Sequence, residues 1–168
     1  MAKIAVIIDD MFEDVEYTEP AGRFREEGHE LIHVGLEKGK TVTGKAKGTE
    51  VKIEEAVGEA SIDDFDALLI PGGYSPDQLR IDENAVEFAG EFVRSGKPVF
   101  AICHAGQLLV NAQVLEGRDF TGWPSIVQDI KNAGARYKDQ EVVVDGNLVS
   151  SRGPKDLPAF ISASLEKL

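Results

Sequence analysis

Three stretches of this sequence carry side chains able to do chemistry. Val99-Phe100-Ala101-Ile102-Cys103-His104-Ala105-Gly106-Gln107 sets the only cysteine of the chain between an apolar run and a helical pattern. A tight strand-to-helix turn presents a nucleophile, and a helix N-terminus favours its anion. A second stretch, Pro71-Gly72-Gly73, ends another apolar run. Glycines let backbone N–H groups approach a reacting oxygen, so it reads as an oxyanion element or as a plain turn. The third, Phe12-Glu13-Asp14-Val15-Glu16, gathers three carboxylates at a helix start. Acids there complement the helix dipole, and one of them pointing inward would hydrogen-bond the thiol. A lone thiol is otherwise an inert core residue or half of an intermolecular bridge. The strand–helix junction and the adjacent His104 favour the reactive reading.

These stretches need a scaffold, and the pattern of apolar runs provides one. Lys3 to Ile8, Glu30 to Gly35, Ala67 to Ile70 and Val99 to Ile102 read as buried strands. Phe12 to Glu27, Glu83 to Arg94, His104 to Asn111, Ile126 to Asn132 and Asp156 to Leu168 read as helices, with Pro20 placed near a helix start and Gly28 as a stop. Lys38 to Val57, punctuated by Gly39, Gly44 and Gly48, reads as a small hairpin excursion. Gly146-Asn147, between Val142 to Asp145 and Leu148 to Ser151, signals a late hairpin. Alternating strands and helices predict an α/β fold with a mainly parallel central sheet covered on both faces. In such sheets ligands bind at the carboxyl ends of the strands, the edge all three reactive stretches reach. With no repeat or linker, residues 1–168 are expected to form a single domain.

Composition narrows the functions. The chain has 168 residues, with 18 Lys plus Arg against 30 Asp plus Glu, a net charge of −12. That excludes a stable complex with long nucleic acid and docking on anionic lipid, both of which need a basic footprint. Hydrophobic residues at 42% are enough for a core. One cysteine closes no internal disulfide and builds no CxxC pair, and the three histidines lack metal spacing, so no metal site and no cofactor are expected. The N-terminus has no signal-peptide pattern and no run suits a membrane span, which predicts a cytoplasmic protein. His29 suits a helix end as a cation, and His33 reads as structural. Arg80 and Arg152 are candidates for holding a substrate carboxylate or for plain surface pairs.

Taken together, Phe12-Glu13-Asp14-Val15-Glu16, Asp66-Ala67-Leu68-Leu69-Ile70-Pro71-Gly72-Gly73, Ile102-Cys103-His104, and Val142-Val143-Val144-Asp145-Gly146-Asn147 with Ser150-Ser151-Arg152 resemble the PfpI (intracellular protease I) family. That family lies in the ThiJ/PfpI superfamily, related to class I glutamine amidotransferases. The resemblance runs from Lys3 to the C-terminus and implies a flavodoxin-like three-layer sandwich. It implies Cys103 as nucleophile, Glu16 as the acid contacting the sulfur, and His104 as a neighbouring imidazole. The backbone N–H groups of Gly73 and His104 would form the oxyanion site. Asp77 stands where relatives often carry a glutamate that reaches the histidine of a neighbouring subunit, which implies self-association as a dimer or hexamer.

Departures from the family pattern are Asp77, one methylene shorter, Ala105-Gly106 in place of Gly-Pro, and a bulky Tyr74 beside the site. Adjacent residues of a helix do not face each other, so Glu16 rather than His104 is expected to control the thiol. No histidine follows His104, which excludes the glutaminase triad. The implied activity is a cysteine-dependent hydrolase in stress protection. Its substrates would be glyoxal or methylglyoxal adducts in a deglycase or glyoxalase reaction, or peptides. The alternative is a non-enzymatic oxidative-stress sensor or holdase chaperone using Cys103. A nucleotide-binding module lacks its GxGxxG or Walker fingerprint.

Overall fold

Alternation of side chains across the strands divides the molecule into three layers. The computed structural model describes Met1–Leu168. In chain order the elements are β1 (Lys3–Ile7), α1 (Asp14–Glu26), β2 (Glu30–Gly35), β3 (Thr41–Thr43), β4 (Glu50–Lys52), β5 (Glu55–Ala56), β6 (Ala67–Ile70), α2 (Ser75–Leu79) and α3 (Glu83–Ser95). They continue with β7 (Val99–Ile102), α4 (Gly106–Asn111), β8 (Asp119–Phe120), α5 (Val127–Asn132), β9 (Arg136–Tyr137), β10 (Val143–Asp145), β11 (Leu148–Ser151) and α6 (Leu157–Glu166). The main sheet runs β10-β11-β7-β6-β1-β2-β5, parallel throughout except for the hairpin of β10 and β11.

One face of the sheet contributes Ala5, Ile7, Leu68, Ile70, Val99 and Ala101, packed against Phe88 and Phe92 of α3, Leu108 and Leu109 of α4, and Ile130 of α5. The opposite face contributes Ile4, Val6, Leu69, Phe100, Ile102 and Val149, packed against Tyr17, Ala21 and Phe24 of α1 and Phe160 and Ile161 of α6. Burial on both faces is why these strands read as unbroken apolar runs. The fold is the flavodoxin-like α/β sandwich with a small antiparallel excursion, β3 paired with β4.

The structure corrects several details. Helix α1 begins at Asp14, because Phe12 pairs with Gly73 in an antiparallel bridge instead of entering the helix. Pro20 lies inside α1, not near its start, and has no N–H to give to the Glu16 carbonyl. The segment after β6, for which the sequence pattern assigned no element, contains the short helix α2. Cys103–Ala105 is a 3-10 turn ahead of α4, and Pro124–Ile126 another ahead of α5. Pro154–Asp156 makes a third such turn, and α6 follows it from Leu157 to Glu166. Strand β5 leaves the excursion and joins the edge of the main sheet. Strands β8 and β9 form a further parallel pair that is too short to show periodicity in the sequence. His29 ties down the N-terminus, since the Ala2 N–H donates to its Nδ1 at 2.9 Å. No helix is long and apolar enough to cross a membrane.

Candidate active site

The three stretches singled out by composition meet at the carboxyl ends of β1, β6 and β7. Their convergence follows from the sheet order, which places β6 between β1 and β7. The loop after β1 is laced to the loop after β6: the Glu13 N–H donates to the Gly72 carbonyl at 3.2 Å, and the Tyr74 N–H to the Met11 carbonyl at 2.9 Å. This lacing needs glycine. Gly73 has φ 77°, and a Cβ there would lie 2.6 Å from the Met11 carbonyl oxygen. At Gly72 a Cβ would lie 2.5 Å from Glu16 Oε1 and 2.8 Å from the Cys103 Cβ. Gly72 is therefore small because an acid and a thiol flank it.

Cys103 itself has φ 63°. Non-glycine residues rarely adopt this left-handed conformation, and it turns the side chain out of the strand direction as a nucleophile elbow does. Cys103 is buried, and the Trp123 N–H donates to its carbonyl at 3.0 Å, tying the elbow to the following loop. The backbone N–H groups of Gly73 and His104 are directed at its sulfur. Burial and the neighbouring Glu16 carboxyl push the thiol up, against the pull of those two N–H groups.

Glu16, in the first turn of α1, is fully buried. Its Oε1 accepts from the Gly72 N–H at 2.9 Å. Its Oε2 is buried with no aligned donor, and the Cys103 thiol lies close enough alongside for the two groups to act on each other's proton. Burial is the main cause that raises Glu16 to about 8, with the single Gly72 N–H working the other way. The carboxyl is accordingly protonated at neutral pH.

The His104 ring lies 6.2 Å from that of Trp123, and its side chain makes no hydrogen bond within the chain. Burial and then the Lys45 charge lower its affinity for a proton, while Asp77 acts in the opposite sense. Asp77, in the first turn of α2, thus influences the histidine of its own chain through space, without a direct ion pair. The Glu16 carboxyl acts on the thiol directly.

A cavity of 260 Å³ opens over Cys103. Gly73, Cys103 and His104 form its floor, with Tyr74, Trp123, Pro154, Glu13 and Lys45 around them. A larger hollow of 580 Å³ beside α4 and α5 includes Val110, Glu116 and Asp129 but no nucleophile, so size does not mark the site. Sequence reasoning placed Tyr74 beside the site but missed Lys45, Trp123 and Pro154 as its walls. The signal for Lys45 was a pair of lysines, Lys45 and Lys47, between Gly44 and Gly48 at the tip of a glycine-punctuated hairpin. Arg152 proves to be a structural pair, with Nε and Nη2 on Asp156 at 2.9 and 3.0 Å and Nη1 on Asp139 at 3.1 Å. Arg80 is held by Asn111 at 2.9 Å. No group of three or more acidic, histidine or cysteine side chains is arranged to hold a metal ion.

Comparison with known proteins places this geometry in context. The profile of the DJ-1/PfpI family matches residues 2–167. Protein/nucleic acid deglycase 2 of Escherichia coli is 54% identical over 167 residues, 99% of this chain and 97% of the relative. General stress protein 18 of Bacillus subtilis is likewise 54% identical over 167 residues, with the same coverage of 99% and 97%. Among solved structures, a two-domain protein of Anabaena variabilis with a DJ-1/ThiJ/PfpI-like and a ferritin-like domain superposes with a TM-score of 0.96. It is 37% identical, and the match covers 99% of this chain and 48% of that one.

Proposed function

The chain belongs to the DJ-1/PfpI family, and from that premise we propose that it is a cysteine-dependent hydrolase that repairs glyoxal or methylglyoxal adducts in stress protection. The observation that carries the reading is the protonated, fully buried Glu16 beside a thiol whose sulfur receives the Gly73 and His104 N–H groups. Two buried acids in contact lose their protons as a pair. Burial holds the thiol above its ordinary range, so it reacts by passing its proton to Glu16 as the sulfur attacks, with the Gly73 and His104 N–H groups drawing negative charge toward the sulfur.

At a carbinolamine adduct the sulfur attacks the carbon that bears the amine; Glu16 gives its proton to the departing amine and takes up that of the thiol, leaving a hemithioacetal. The hydrogen on that carbon passes as a proton to the neighbouring carbonyl carbon through an enediolate, whose oxyanion the N–H groups of Gly73 and His104 hold, and a thioester results. Water hydrolyses the thioester, its hydroxyl joining the acyl carbon and its hydrogen restoring the thiol. The net reaction adds one water and yields the free amine and a 2-hydroxy acid, with no external oxidant.

The cavity of 260 Å³ suits small aldehyde-derived adducts better than a folded protein chain, and a short peptide is the competing substrate. The protein acts in the cytoplasm, with its thiol reduced. It self-associates as a dimer or hexamer, in which the exposed Asp77 of one copy reaches the His104 of the next. A fully active monomer by light scattering would contradict that arrangement. For the reaction itself, Cys103→Ala and Cys103→Ser should lose at least ~1000-fold in turnover of methylglyoxal adducts of free amines. Retained turnover in either variant would overturn the assignment.

A further inference from the structure

The β3–β4 hairpin has strands too short to stand alone, yet its tip is held at several points. Asp14, buried beneath it, accepts the N–H groups of Ala46 at 2.8 Å and Thr49 at 3.0 Å. Gly44 sits directly on the Asp14 carboxylate, where any Cβ would collide with it. The Met11 N–H donates to the Thr43 carbonyl at 2.8 Å, and the Lys45 N–H to the Phe12 carbonyl at 2.9 Å. The stitched loop therefore presents one side chain to the site, that of Lys45.

Lys45 shares the cavity of 260 Å³ with Cys103 and is the only lysine or arginine lining it. Its ammonium lies 3.0 Å from the Glu13 carboxylate and 5.5 Å from the centre of the Tyr74 ring. An ammonium has three N–H donors, and Glu13 is the only hydrogen-bonding acceptor the protein offers this one. Its side chain is 34% exposed, so the remaining donors reach solvent. The charge also acts on Cys103, Glu16 and His104.

We infer that Asp14 and the β3–β4 hairpin hold Lys45 as a subsite for a small carboxylate bound against Cys103, of the 2-oxo or 2-hydroxy acid class. For its substrate chemistry this rests on the proposed hydrolase, whose product is such an acid, but the geometry stands without it. Lys45 is the recognition residue and Asp14 the positioning residue. Glu13 competes for the same ammonium and limits how strongly an anion is held.

The test compares alkylation of Cys103 by iodoacetate and by iodoacetamide, which share a reaction and differ by one carboxylate. It requires no turnover, so it survives failure of the hydrolase reading. Lys45→Gln should lower the ratio of the two rates about tenfold, and Lys45→Arg should preserve it. Glu13→Gln should raise the ratio about threefold. Asp14→Asn should lower it with the lysine intact, which separates positioning from simple charge. Glycolate should protect the thiol of the wild type and not that of Lys45→Gln. An unchanged ratio in Lys45→Gln, or equal slowing of both reagents, would overturn the carboxylate subsite. An unchanged ratio in Asp14→Asn would overturn the positioning role.

Discussion

Asp14 and Glu16 flank Val15 in the first turn of one helix, and both carboxyls are buried. Their chemistry is opposite. At Asp14 burial raises the carboxyl, but the Thr49 side chain and the backbone N–H groups of Ala46, Thr49 and Lys47 outweigh it and bring it down to about 2. At Glu16 burial meets a single N–H, from Gly72, and the carboxyl rises to about 8. The number of donors decides which acid is a fixed anion and which keeps a transferable proton. The anion clamps a loop; the neutral acid serves a thiol.

Removing the proton from Glu16 should have the largest effect. Glu16→Gln keeps the shape and the contact with Gly72 but cannot transfer a proton, so adduct turnover should fall about 10²- to 10⁴-fold. In the same variant the pH profile of Cys103 alkylation should lose its step near 8. Wild-type turnover would show that the neutral acid has no chemical role.

Loss of the anion is expected to act on stability instead. Asp14→Asn leaves backbone donors facing an amide and should cost about 3 kcal/mol, or roughly 10 °C in Tm. A shift below ~1 kcal/mol would mean that the hairpin is held by its other bonds. Acid and base titration separates the two residues further. The Asp14 contribution, with the folded value below the ordinary 3.8, is present above that pH and is lost as pH falls through about 2. The Glu16 contribution, with the folded value above the ordinary 4.5, is present below that pH and is lost as pH rises through about 8. Thermal unfolding of Glu16→Gln should therefore flatten the wild-type decline between pH ~5 and ~8, and a slope matching the wild type would contradict it. Taking one donor from Asp14 with Thr49→Val should produce the smallest change, about 1 kcal/mol, readable in a urea titration.

Much of this contrast was hidden in the sequence. The buried strands were legible because both faces of the sheet are covered, and the elbow at Cys103 because a lone thiol follows such a strand. Glu16 was legible only as one of three acids after β1. Which of them is neutral depends on how many N–H groups a distant hairpin and the Gly72 turn bring to it, and no local pattern records that count. Asp14 read as helix capping for the same reason: its partners lie more than thirty residues away. Lys45 was missed because its importance comes from the clamp beneath the hairpin. Strands β8 and β9, and helix α2, are too short for periodicity to reveal.

The left-handed backbone at Cys103 bears on how this sequence can drift. With φ at 63°, the position would relax with a glycine, which meets no steric penalty there, and the fold would gain on the order of 1 kcal/mol. A screen for heat resistance alone would then reward Cys103→Gly, yielding a hardier but inert protein. Persistence of the thiol at this strained position would have to be enforced by the demand for its reactivity, in opposition to thermostability.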